Sequence, residues 1–393
     1  MRKPLSVVAL LLVLLVPALA ACCATGSAAT TAVPAEATAA PSVATTAAEP
    51  TAAPAEATAA PVATAPAEAT AAPAEATAAP EGTKKLKVGL VTDVGKINDG
   101  TFNQFAYEGL KKAEADLDIE IAYIETQAQA DYDKNFAQFA DQGFDVVIGV
   151  GFLMGDAVKA AAEKYPDIQF AIVDFAYDPA LPNVEGLVFA EDEAGYLAGA
   201  LAAQLTQSGS IAAVGGIEIP PVQKFLIGFE NGAKSINPEV IVNKVYIDSF
   251  IDRARGAEAA RSFIAEGADV IFGAGGQTGS GGIQAAAQDG IYVIGVDQDE
   301  YLTTFQKGAT PGADKIVSSA LKRVDVAVYN AIKSAVDGTF KGGTVLFNAA
   351  NDGVGLAESH DAASAITPEI QAKLDEIQKG LADGSIKTNV VLP

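Results

Sequence analysis

The sequence predicts an α/β protein: two α/β lobes with parallel sheets, held behind a signal peptide and a disordered tether. Three observations carry this. From Lys84 onward, short apolar runs alternate with amphipathic segments, the pattern of βαβ units and parallel strands. The pattern runs twice, since residues 86–190 open with strand, polar loop and helix, and residues 210–297 open the same way. Upstream of Lys84 no residue run can build a core.

The leader comes first in the chain. Arg2 and Lys3 precede a short apolar stretch, Leu5 to Val16, which is too short for a confident spanning helix and suits a signal peptide over 1–21. It ends in Leu19-Ala20-Ala21-Cys22, small residues before a cysteine. This resembles a bacterial lipobox, and the resemblance implies that Cys22 becomes the lipid-bearing N-terminus. Cys22 and Cys23 are the only cysteines, so the body has no disulfide framework and no cysteine metal site. Residues 22–83 are Ala, Pro, Thr and Glu-rich, and the unit Pro-Ala-Glu-Ala-Thr-Ala-Ala begins at Pro34, Pro54, Pro66 and Pro73. Frequent proline and the lack of large apolar side chains predict a disordered tether. About 60 residues of flexible coil span roughly 45 Å.

In the body, strands are expected at 86–91, 119–124, 146–150, 169–173, 184–189, 210–214, 240–246, 270–272, 292–296 and 315–319. Helical patterns fall at 102–115, 131–142, 155–164, 193–207, 223–235, 253–266, 280–288 and 323–337, with a last helix at 368–381. In the first helix Phe105, Leu110 and Ala113 should face a core. The segment after Asp297 is too small for a third domain and should complete each lobe. That assigns 84–190 with about 320–341 to the first lobe, and 191–319 with about 342–393 to the second.

Charge and composition exclude several functions. The net charge is −23, and the chain after residue 81 holds 24 basic against 43 acidic residues. Nucleic-acid binding needs clustered Lys and Arg, so no nucleic-acid partner is expected. The single histidine, His360, removes His metal clusters, and with no Gly-x-Ser-x-Gly nucleophile elbow in the sequence no Ser-His-Asp triad is expected. Gly273-Ala-Gly-Gly-Gln-Thr-Gly279 could cradle an anion at a helix start, but it lacks the Gly-Lys-Ser/Thr ending of a nucleotide-hydrolysing loop. No enzyme activity, cofactor or metal is expected.

The residues that follow each strand are the informative ones. Open α/β sheets bind ligands at the carboxyl ends of their strands. There stand Asp93 in the loop to Asn103, Gly151-Phe152, Asp174, Gly215-Gly216 with Phe225 near a helix start, Phe272 before a glycine run, and Asp297. Carboxylates accept hydrogen bonds from hydroxyls, and the rings of Phe102, Phe152, Phe225 and Phe272 can stack on a flat group. The set suits a ligand with a sugar-like part and a planar part. Taken singly, each Asp is equally a helix cap or a loop residue, and each Phe is more often core than ligand contact; the recurrence at strand ends is what points to a cleft.

Several motifs together resemble one family. Lys87-Val-Gly-Leu-Val-Thr-Asp93 with Asn98-Asp-Gly-Thr-Phe-Asn-Gln104 is similar to the opening of the basic membrane protein family, lipoprotein solute-binding components of ABC importers that include the purine nucleoside receptor A type. Val222-Gln-Lys-Phe-Leu-Ile-Gly-Phe-Glu-Asn-Gly232, Ile294-Gly-Val-Asp-Gln-Asp299 and Ser319-Ala-Leu-Lys-Arg-Val-Asp-Val-Ala-Val-Tyr329 resemble its later motifs in the same order, and the resemblance covers residues 84–393. It implies two Rossmann-like lobes of the periplasmic binding protein type I, joined by a three-stranded hinge and closing on a purine nucleoside such as guanosine, inosine or adenosine. It implies an ABC permease and ATPase as partners and a lipid-anchored place on the extracytoplasmic face of the cell membrane. By the same resemblance Asp93, Asn98, Phe102 and Asn103 are first-loop ligand residues, Asp174 a later carboxylate, Asp297 the ribose-binding acid and Lys322 a ligand-facing lysine near the hinge. Phe102 takes one face of the base, and the second face falls to Phe225 or Phe272. The alternatives are a binding protein of the same fold for a sugar or autoinducer, and a surface sensor or adhesion lipoprotein.

Overall fold

The computed structural model describes residues 85–393; the expected signal peptide, Cys22 and the tether lie outside them. Within them are two six-stranded sheets. The first contains β1 (Leu86–Val94), β2 (Ile119–Thr126), β3 (Val146–Val150), β4 (Gln169–Val173), β5 (Val184–Phe189) and β11 (Gly343–Phe347). The second contains β6 (Ser210–Gly215), β7 (Ile241–Tyr246), β8 (Val270–Ala274), β9 (Tyr292–Asp297), β10 (Ile316–Lys322) and β12 (Val354–Leu356).

The strand orders are β11-β5-β4-β3-β1-β2 and β12-β10-β9-β8-β6-β7, so one wiring pattern is used twice. Every pairing is parallel except β10 with β12, where Ala320 faces Leu356 antiparallel. Parallel strands covered on both faces must be apolar throughout. Val146, Val147, Ile148 and Val150 of β3 and Val270, Ile271 and Phe272 of β8 are each fully buried. In both sheets the order reverses beside the first strand of the repeat. The crevice sites of such sheets therefore lie outside β1/β3 and β6/β8.

Helices α1 (Phe102–Asp116), α2 (Tyr132–Asp141) and α3 (Gly155–Lys164) connect the first sheet; α5 (Pro220–Ile236), α6 (Arg253–Ala265) and α7 (Gly276–Gln288) connect the second. On α1 Leu110 and Ala113 are buried as expected, Phe105 packs half-buried against the same core, and Ala106 joins them. The two remaining repeat helices change lobes. Helix α4 (Glu191–Leu205) leaves β5 of the first sheet and packs on α5; α8 (Val324–Val336) leaves β10 of the second sheet and packs on α1. Small residues make the first of these contacts. A Cβ on Gly199 would overlap the Phe229 carbonyl and one on Gly232 the Tyr196 carbonyl, so the two backbones touch.

The chain thus passes between the lobes at Phe189–Glu191, at Lys322–Val324 and between β11 and β12. The last passage differs from the sequence expectation. Residues 343–347 pair with β5 in the first sheet, so the return follows Phe347 instead of falling near 342. The run Gly343–Phe347 is too short for its pattern to name a partner strand. Helix α9 (Pro368–Ala382) then packs back on α4. Among the described residues no helix is long and apolar enough to cross a membrane.

Candidate ligand-binding site

The two crevices face one narrow cleft, in which the centre of a water-sized sphere can reach about 60 Å³. Its walls come from both lobes: the β1–α1 loop, Gly151 and Phe152 on one side, the starts of α5 and α7 with the end of β9 on the other. The two walls approach each other where Ile251 Cγ2 lies 3.9 Å from the position a Cβ on Gly95 would take.

Asp93 stands at the end of β1. Its Oδ1 accepts from the Tyr132 hydroxyl and from the Val94 N–H at 2.6 Å, while its own N–H donates to Asn103 Oδ1 at 3.1 Å. Burial pushes the Asp93 carboxyl up, and the Tyr132 and Val94 donors pull part of that back. Its Oδ2 is turned toward Gly151, where a Cβ would come within 2.8 Å of it. The side chain is therefore fixed through one oxygen and open through the other.

Asp99 does different work. Its Oδ1 accepts the N–H groups of Thr101 at 2.9 Å and Gln104 at 3.1 Å, and its Oδ2 accepts that of Asn103 at 3.1 Å. It closes the N-terminus of α1, where free N–H groups would otherwise seek an anion. Phe102, the first residue of α1, is thereby set against the cleft.

The base of the cleft is a buried ion network. Lys322, at the end of β10, is 2% exposed and places Nζ 2.6 and 2.7 Å from the two Asp174 oxygens. It also lies 3.1 Å from Glu191 Oε1, and the other Glu191 oxygen meets Lys224 Nζ at 3.1 Å. Rings surround the ammonium, with Phe189, Phe102 and Phe225 centred 5.1, 5.2 and 5.8 Å from Nζ. Burial lowers the Lys322 pKa, but Asp174, Glu191 and Asp297 more than offset it, so the net shift is upward and the lysine stays charged. Asp174 is pushed up to about 6 by burial, against the pull of Lys322 and with a further push from Glu191.

Asp297 is the least satisfied member. It is 5% exposed. Burial raises its carboxyl to about 7, Lys322 pulls it down, and Asp174, Asp99 and Glu300 push it up; no hydrogen bond from a described residue holds it. Asp174 and Asp297 occupy matching places in the two repeats, at the ends of β4 and β9, and both have left-handed backbones, with φ of 71° and 65°. Asp tolerates that conformation better than most residues. Beneath the second sheet's edge, Glu300 is consumed by the fold: it accepts from Ser280 and Thr304 at 2.6 Å and from the Val296 N–H at 3.1 Å.

Of the residues singled out from sequence, Asp93, Phe102, Asn103, Phe152, Asp174, Phe225, Asp297 and Lys322 meet at this cleft. Two do not. Asn98 is exposed, and its neighbour Asp99 lines the cleft instead. Phe272 is fully buried, stacked on Phe229 at 5.1 Å and edge-on to Phe225 at 6.2 Å, so between the two candidates for a second stacking ring only Phe225 reaches the cleft. Strand β8 is covered on both sides, and Phe272 precedes its carboxyl end by two residues.

Glu191, Lys224, Tyr132 and Phe250 were not singled out. Glu191 follows β5 by two residues, so the rule that selected Asp174 also selects it. Phe250 lines the cleft from the loop after an edge strand, where no periodicity marks it. Tyr132 reaches Asp93 from the start of α2 across 39 residues of chain, which no local pattern reveals.

Comparison with known proteins agrees with this arrangement. The model of the family described as ABC transporter substrate-binding protein PnrA-like matches residues 86–385. A CD4+ T-cell-stimulating antigen from Listeria monocytogenes is 33% identical over 323 residues, covering 78% of this chain and 89% of its own. The ABC transporter nucleoside-binding protein BmpA of Lactococcus lactis subsp. cremoris is 32% identical over 315 residues, covering 77% of this chain and 88% of its own. The crystal structure of an ABC transporter solute-binding protein from Aeropyrum pernix K1 superposes with a TM-score of 0.70 at 26% identity, over 78% of this chain and 94% of that one. The chain belongs to the PnrA-like family of ABC transporter substrate-binding proteins.

Proposed function

We propose that this solute-binding protein captures purine nucleosides between its lobes and hands them to an ABC permease. The observation that carries the reading is the Asp297 carboxylate, 5% exposed and without a hydrogen bond from any described residue, lining a cleft that also holds the Phe102 and Phe225 rings. A buried acceptor without a partner is costly unless a ligand supplies donors. Ribose hydroxyls supply them, and a purine offers a flat face to the rings. Asp93, Asn103, Asp174 and Lys322 are proposed as further ligand contacts. The name of the Lactococcus lactis relative, a nucleoside-binding protein, supports the same ligand class. A ligand touching both lobes favours the closed arrangement by its contacts with each. The Leu19-Ala20-Ala21-Cys22 motif supports lipid attachment at Cys22 and a station on the extracytoplasmic face of the membrane.

The test is a calorimetric screen of guanosine, inosine, adenosine, the free bases and simple sugars. Nucleosides should bind tighter than bases. If all three nucleosides fail while a sugar binds, the ligand assignment is wrong.

A further inference from the structure

Two hydrogen bonds join the lobes beside the cleft. Gln298 Nε2 donates to the Thr101 carbonyl at 3.0 Å, and Thr303 Oγ1 donates to the Gly100 carbonyl at 2.7 Å. Both acceptors belong to the β1–α1 loop of the first lobe, and both donors to the loop after β9 in the second. On each side the latch adjoins the cleft by a single peptide unit: Thr101 precedes Phe102, and Gln298 follows Asp297.

Both halves are held ready. Asp99 anchors the N–H groups of Thr101, Asn103 and Gln104, and Gln104 Oε1 accepts the Gly100 N–H at 3.1 Å, so the turn that presents the two carbonyls is fixed. Gly100 has φ of 85°, and a Cβ there would press on Thr304 Oγ1 at 3.3 Å, which shows how closely the second lobe approaches. On the donor side Gln298 is 4% exposed, and Glu300 ties the loop to Ser280 and Thr304. The buried Gln298 amide and the half-buried Thr303 hydroxyl cannot lose these acceptors at no cost. Two such bonds correspond to roughly 5- to 150-fold in the closed-to-open ratio.

We propose that Gln298 and Thr303 are positioning residues, an interlobe latch that holds the closed arrangement and sets how long a captured solute stays. The bearing on residence time rests on the nucleoside reading; the bearing on lobe closure does not. The experiment uses the full chain with Cys22→Ser and Cys23→Ser, spin-labelled at Glu114→Cys on α1 and Glu258→Cys on α6, both exposed positions in opposite lobes. Double electron–electron resonance should show a short-distance component in the ligand-free protein. Adding Gln298→Ala and Thr303→Val together should reduce that component relative to the long one at least about fivefold. Stopped-flow release of guanosine should speed up by a similar factor, with association within about twofold, because the latch is absent from the open state that meets the solute. A distance distribution unchanged by the double substitution, or one without a short component in the parent, overturns the latch whether or not guanosine binds. Equal Tm losses with and without guanosine, at unchanged distances, also overturn it, since they describe a static support. A parent that closes as expected but ignores guanosine refutes the nucleoside reading alone.

Discussion

Replacing Lys322 with methionine removes the cation at the centre of the buried network while keeping most of the volume. Lys322 is 2% exposed, and the Asp174 and Glu191 side chains it bridges are 6% and 1% exposed. Glu191 keeps Lys224 at 3.1 Å, so the uncompensated charge falls mainly on Asp174, which touches Lys322 directly, with a smaller share on Asp297. Removing one partner of a buried pair costs about 3–5 kcal/mol, because the other charge is stranded. The loss should depend on pH with a definite sign. Asp174 already titrates at about 6, above its ordinary 3.8, so the native state binds a proton more readily than the unfolded chain. Without Lys322 the carboxyl rises further. The destabilisation is then fully present above that pKa and fades as pH falls and the acid becomes neutral. Urea unfolding at pH 8 and pH 5 should show the larger deficit at pH 8. Adding Asp174→Asn to Lys322→Met should recover at least half of it at pH 8. A deficit equal at both pH values, or a double variant whose loss is the sum of the two single losses, refutes the stranded-charge argument.

Three further outcomes follow from the same geometry. Asp297→Ala should weaken guanosine binding by about 1.5–3 kcal/mol, the range for hydrogen bonds to a charged group, and free guanine binding much less; equal losses by calorimetry would remove Asp297 from the ribose end. Because Asp297 titrates at about 7 and hydroxyl donors favour its ionised form, nucleoside affinity should fall as pH drops from 8 to 6, by no more than about tenfold per unit. Binding at pH 6.5 should release a proportion of a proton, seen as a buffer-dependent heat, and a flat profile with no proton release contradicts it. Phe225→Leu should raise the nucleoside Kd by roughly two- to tenfold, whereas Phe272→Leu should lower Tm and leave Kd unchanged. The reverse pattern would show that the ring reaching the ligand has been misassigned.

The sequence by itself determined the elements and their repetition. Short apolar runs such as Val146–Val150 and Val270–Phe272, set between helical patterns, read as buried parallel strands, and the doubled order of strand, loop and helix implies two lobes. It also located Asp93, Asp174 and Asp297, because a strand's carboxyl end is a local property and the topology makes that end the ligand edge. What depends on side-chain direction was not legible. Asn98 and Asp99 are adjacent polar residues in one loop, and only the path of the turn decides that Asp99 points inward to cap α1. Phe225 and Phe272 are equal candidates in sequence; the covering of β8 buries one, and the start of α5 delivers the other to the cleft.

Tertiary structure alone decided the partners. Lys322 lies 148 residues from Asp174 in the chain, Tyr132 lies 39 from Asp93, and Gln298 lies 197 from Thr101. Each of these bonds joins groups whose local patterns say only that they are polar. Period and composition are set by neighbours within a few residues, whereas desolvation and pairing are set by whatever the fold brings within hydrogen-bond reach. That is why the strand ends could be read as a cleft from the chain itself. The charge state of Asp297, the cage around Lys322 and the latch between the lobes came only with the two sheets face to face.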